Sequence, residues 1–93
     1  MNLNSYRDEV KDFLEKANFS DQGTASKLKW LEDEFQLLKD SVGANKADRI
    51  RHQIYDMLFL LFEISIDYDF DLESEWSIGR AKKRKKYLSG SAE

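Results

Sequence analysis

Between Ile54 and Ile66 the chain reads IYDMLFLLFEISI, apolar around most of a helical circumference. Ile50, Ile54, Met57, Leu61 and Ile64 form a main stripe, and Tyr55, Leu58, Phe59, Leu60 and Phe62 fill the other faces. Such a helix needs neighbours on nearly every side. Helices are favoured throughout, because the 93 residues include no proline and only four glycines, too few turn formers for a sheet-rich fold. With no cysteine and one histidine, disulfide scaffolds, thiolate zinc sites, cysteine nucleophiles and multi-histidine metal sites are excluded, so any metal must sit on oxygen ligands. Fifteen basic and 18 acidic residues leave a net charge of −3, which gives no global attraction for nucleic acid or anionic lipid. No apolar run reaches the roughly 18 to 20 residues of a membrane span, and MNLNSYRDEV lacks a basic segment followed by an apolar core. A cytoplasmic location without membrane contact is the expectation.

The periodicity predicts a single all-α domain of four helices over residues 1–88, with the tail SGSAE at 89–93 disordered. A first helix, Ser5 to Ala17, carries Tyr6, Val10, Phe13, Leu14 and Ala17 on one face, and Ser5 with Asp8 reads as its capping box. NFSDQGT follows as a loop. A second helix, Ala25 to Val42, sets Leu28, Leu31, Phe35, Leu38 and Val42 at alternating three- and four-residue steps, a narrow packing seam closed by Gly43. Asn45 then caps a third helix reaching Ser65, antiparallel to the second. Asp71 caps a fourth from Leu72, with Glu73 and Glu75 at its positive end and Arg80 to Lys86 at its negative end. Three companion helices cannot cover the third completely, so a homodimer or a dimer of dimers is expected.

Asp67, Asp69 and Asp71 open like an EF-hand calcium loop, but Leu72 and Ile78 stand where the turn glycine and the bidentate glutamate belong. The basic run Lys82 to Lys86 lacks interleaved aromatics for base stacking and reads as a solvated helix end, so nucleic acid is not the expected partner. His52 reads as a surface or partner-facing residue. Gln53, Asp56 and Glu63 share one face of the third helix. That face is either a solvent stripe that also takes in Arg49 and Asp67, or it turns a carboxylate inward against Glu34 of the second helix, as oxygen-ligand sites in bundles are built.

In order, the chain shows KLKWLEDEF (27–35), then QIYDML (53–58), Asp71-Leu72-Glu73 and Lys86-Tyr87. From about Ser26 to Tyr87, two thirds of its length, it resembles the MazG-like nucleotide pyrophosphohydrolases, an all-α family with acidic motifs on two facing helices, an apolar helix and a basic closing helix. The resemblance implies an oligomeric helical bundle that splits a nucleoside triphosphate into a monophosphate and pyrophosphate with Mg2+. It implies Glu34 and Asp56 as metal ligands and catalytic acids, Gln53 as a weak ligand or water-positioning group, and Lys83, Lys86 and Tyr87 near the substrate phosphates. Trp30, Leu31 and Gln53 replace three family carboxylates, and leucine cannot ligate a metal. The alternative implied by those replacements is a catalytically inactive helical module acting through protein–protein contacts.

Overall fold

In a computed structural model, residues 2–18 and 22–88 are described, and they form four α-helices: α1 (Leu3–Lys16), α2 (Gly23–Gly43), α3 (Ala47–Tyr68) and α4 (Leu72–Tyr87). There is no strand among the described residues. The middle of the expected NFSDQGT loop and the SGSAE tail lie outside them. No described helix is long and apolar enough to cross a membrane.

With glycine scarce, the helices end on other residues that tolerate left-handed backbone. Asn18, Asn45 and Asp69 adopt φ of 59°, 56° and 55°, a conformation that short polar side chains reach more cheaply than bulky ones. At the α2 end the N–H of Lys46 returns to Ser41 O at 3.0 Å and that of Asn45 to Val42 O at 3.0 Å, the Schellman pattern. Asn45 therefore closes α2 instead of capping α3, whose first turn follows Lys46 without a side-chain cap. Gly43 stays inside the helix. At the first helix the cap is Asn2, not Ser5: its Oδ1 accepts the Ser5 N–H at 2.9 Å. Asp8, the expected second half of a capping box, pairs with Arg7 at 2.9 Å.

The three-residue turn at 44–46 folds α2 and α3 into an antiparallel hairpin, the expected core pair. α1 lies on α3, where Phe13 meets Phe59 edge-on at 5.8 Å, Tyr6 approaches Phe62 at 6.4 Å and Val10 is buried. α4 begins as predicted at Asp71, whose carboxylate accepts the Ser74 N–H at 3.1 Å. It buries no residue of its own. Its start is fastened instead to the start of α1: Asn4 donates to Asp71 Oδ1 at 2.9 Å, Asn4 Oδ1 accepts the Leu72 N–H at 2.9 Å, and Glu73 accepts the Leu3 N–H at 3.0 Å. Each helix thus caps the other's free N–H groups. The result is an open shape, with a radius of gyration of 16.2 Å against about 12 Å for a compact chain of this length.

Candidate functional site: a carboxyl pair in the α2/α3 seam

The surfaces of α2 and α3 that face each other are unusually polar. Near the open end of the hairpin, buried Lys27 donates to Asp67 Oδ1 at 2.7 Å while Thr24 donates to Asp67 Oδ2 at 2.8 Å. Burial pushes the Asp67 carboxyl up, but the hydrogen bonds from Lys27 and Thr24 outweigh it and hold the group below its ordinary value. Glu63 shares this region, and its carboxyl is raised mainly by burial, with Lys27 partly offsetting. Toward the turn, Gln53 and Ser41 line one cleft, and Gln53 Oε1 is buried without a hydrogen-bond partner. Gln53, Asp56 and Glu63, which share one face of α3, are all half-buried, and Gln53 and Asp56 line clefts together with α2 side chains.

Between these ends Glu34 meets Asp56. Their carboxyl groups lie within hydrogen-bonding reach, and Glu34 is raised above its ordinary value by burial first, then by the Asp56 charge and the shared hydrogen bond. His52, one turn before Asp56, places Nε2 3.0 Å from Asp56 Oδ2. Its four-residue spacing from Asp56 is the sequence signal for this contact, although the residue reads from sequence only as surface or partner-facing. Glu34 and Asp56 open into a cleft of about 320 Å³ whose other walls are Trp30, Tyr55, Phe59 and Leu60. Leu31, three residues before Glu34 on α2, is half-buried.

A Mg2+ ion commonly binds through one or two protein carboxylates, with waters and substrate phosphates completing its shell. The facing oxygens of Glu34 and Asp56 fit that minimal role. They do not make a self-sufficient metal cage, and no group of three or more His, Cys, Asp or Glu side chains able to hold a metal occurs among the described residues. Gln53 lines the neighbouring cleft with Leu37, Ser41 and His52. Lys83 and Tyr87 lie on α4 in a groove with Trp76 and Arg80, and Lys86 Nζ sits 5.2 Å from the Tyr87 ring centre. This α4 groove and the Glu34–Asp56 cleft share no lining residue.

Compared with protein-family models, curated proteins and solved structures, the chain matches none.

Proposed function

We propose that the protein is a divergent, homo-oligomeric MazG-like nucleoside triphosphate pyrophosphohydrolase, reduced to two of its acidic residues and correspondingly slow. The observation that carries the reading is the meeting of Glu34 and Asp56 across two helices beside three aromatic rings. Trp30, Tyr55 and Phe59 offer flat apolar faces suited to stacking a nucleobase. The paired acids repel a triphosphate, and Glu34 and Asp56 would hold the divalent cation that offsets this repulsion. Such a cation, when bound, supplies charge neutralisation at the phosphates and lowers the pKa of a water. Glu34, whose carboxyl is raised above its ordinary value by burial and by the Asp56 charge, would accept a proton from water attacking between the α and β phosphates. Gln53, one turn from Asp56, orients that water. Lys83, Lys86 and Tyr87 bind phosphate, and since their groove shares no lining residue with the Glu34–Asp56 cleft they serve this role from a neighbouring subunit. The reading assigns the protein to the cytoplasm, with nucleotides and not nucleic acid as partners.

Purified protein incubated with canonical and modified nucleoside triphosphates and Mg2+ or Mn2+ is expected to release pyrophosphate slowly from at least one of them, and Asp56→Ala to abolish the release. No pyrophosphate across the panel overturns the proposal.

A second reading, a catalytically inactive interaction module, is favoured by Trp30 and Leu31 at positions where the family carries acids. Calorimetric titration with Mg2+ and a non-hydrolysable triphosphate separates the two. Heat that disappears in Asp56→Ala argues for the nucleotide site, and no heat with either protein argues for the module.

A further inference from the structure

We propose that the cavity between α1, α2 and the C-terminal half of α3 is a binding site for a small organic cation, a protonated amine on a flat apolar body, with Glu63 as its counter-ion. The cavity measures about 620 Å³, within the range of sites that take a small molecule. Its chemistry is separate from the hydrolysis proposed above and needs neither a metal nor a nucleotide.

Three helices build it by regular spacing. Leu14 comes from α1, Trp30 from α2, and Phe59 and Ile66 from the α3 face that also carries Glu63. Phe59, Glu63, Ile66 and Asp67 follow one another at steps of four, three and one residue, so they share one side of that helix. Glu63 therefore stands one turn from Phe59 on one side and one turn from Asp67 on the other. The aromatic end of the cavity and its ion-paired end meet at this carboxyl.

Charge sets the sign of the ligand. Among the described residues, two lysines and three carboxylates line the cavity, which leaves one net negative charge. Lys27 Nζ donates to Asp67 Oδ1 at 2.7 Å and Thr24 donates to Asp67 Oδ2 at 2.8 Å, so that corner is satisfied within the chain. Lys11 and Glu15, four residues apart on α1, offset each other at the rim. Glu63 is what remains. Burial and the charges of Lys27 and Asp67 act on it, and among the described residues no hydrogen bond does. A half-buried carboxylate in this position has its acceptor sites open toward the cavity. An ammonium group supplies both the opposite charge and the N–H donors, and hydrogen bonds of that kind are among the strong ones. An anion would meet like charge, with Lys27 already bonded to Asp67.

The walls select the rest of the ligand. Trp30 and Phe59 offer ring faces that attract a cation and pack against a flat body. Leu14 and Ile66 add aliphatic surface that a hydrated metal ion would not use. A protonated amine with an aromatic or cyclic body matches both features at once.

Three probes that share one body and differ in the head group test this in the absence of metal and nucleotide: phenylpropylamine, phenylpropanol and phenylpropionate, each titrated by calorimetry up to about 10 mM. Fluorescence of a Trp76→Phe variant, in which Trp30 is the remaining tryptophan, reports whether the probe reaches this cavity. The amine is expected to saturate, to change the Trp30 emission, and to bind at least about 10-fold more tightly than the alcohol, with the carboxylate weaker still. Glu63→Gln keeps the size of the side chain and is expected to lower the amine to about the affinity of the alcohol, whereas Asp56→Ala leaves it within about 2-fold of the wild type. An amine that does not saturate overturns the proposal. So do three probes of equal affinity, a silent Trp30, or a Glu63→Gln variant that binds the amine as the wild type does. The probe series on the wild type decides the matter even if a variant fails to fold. Pyrophosphate release enters none of these measurements, so this site and the proposed hydrolase can fail separately.

Discussion

The two flanks of the α2/α3 hairpin invert the usual arrangement of a small protein. The inner seam holds Lys27, Glu34, Ser41, Gln53, Asp56 and Asp67, while the outer flank bears Phe35, Val42, Ile54 and Leu61 in contact with water. Apolar burial supplies most of the stability of a fold, so a hairpin built this way is underpowered alone. The polar seam instead specifies which side chains face each other, since a slip along the helices would separate Lys27 from Asp67 and Glu34 from Asp56. Polar pairing and exposed apolar surface are thus divided between opposite flanks.

The largest single-residue effect is expected in the seam. Asp67→Ala removes the carboxylate that accepts from buried Lys27 at 2.7 Å and should cost about 2–3 kcal/mol of stability, read by urea unfolding. Lys27→Met in the same background should recover most of it, because an apolar side chain at this buried site needs no acceptor. No recovery would mean that the seam depends on the ion pair itself.

The helix-start junction comes next. Asn4→Ala removes the donor to Asp71 and the acceptor for the Leu72 N–H and should cost about 1–2 kcal/mol, with faster amide exchange in the first turn of α4. This junction also has a pH signature. The Asp71 carboxyl, held down to about 2 from an ordinary 3.8 first by Asn4 and then by Ser74, contributes stability that is complete above 3.8 and lost as the pH falls toward 2. Asn4→Ala should flatten that acid loss, which acid titration of the unfolding midpoint measures.

The carboxyl pair has the smallest expected effect and the opposite sign. Glu34 is raised in the folded state, so its protonation stabilises the fold fully below the ordinary value of 4.5 and this benefit is lost as pH rises. Glu34→Gln should therefore stabilise the protein by about 0.5 kcal/mol at pH 7, with the gain vanishing below pH 4.5. The same variant should lose whatever pyrophosphatase activity the wild type shows. Stability without activity is the pattern of a functional pair, whereas an unchanged stability profile would mean that the two acids do not face each other.

Much of this architecture is legible in the chain. Three apolar periodicities place the first three helices to within a few residues, and Asp71 is recognisable as the cap of the fourth because acidic residues follow it and basic residues close the helix. The misread ends are those where asparagine has two competing uses. Asn45 is as suited to a left-handed helix end as to a helix start, and nothing local decides between them. The facing of Glu34 and Asp56 is one of two alternatives that helix phase leaves open, the other being a solvent stripe, because periodicity alone does not say which face meets the neighbouring helix. Lys27 with Asp67, and Asn4 with Asp71, depend on how helices lie in space and have no local signal at separations of 40 and 67 residues. The seam Leu28 to Val42 is visible in the sequence as a packing surface, but periodicity does not say which neighbour fills it.

Thermal unfolding at two protein concentrations, 2 and about 200 μM, tests the inverted hairpin most directly, because a fold completed by a second copy must gain stability by mass action. The midpoint is expected to rise by several degrees with concentration and to lose that dependence in Phe35→Glu combined with Leu61→Glu. A midpoint identical at both concentrations in the wild type would contradict the account.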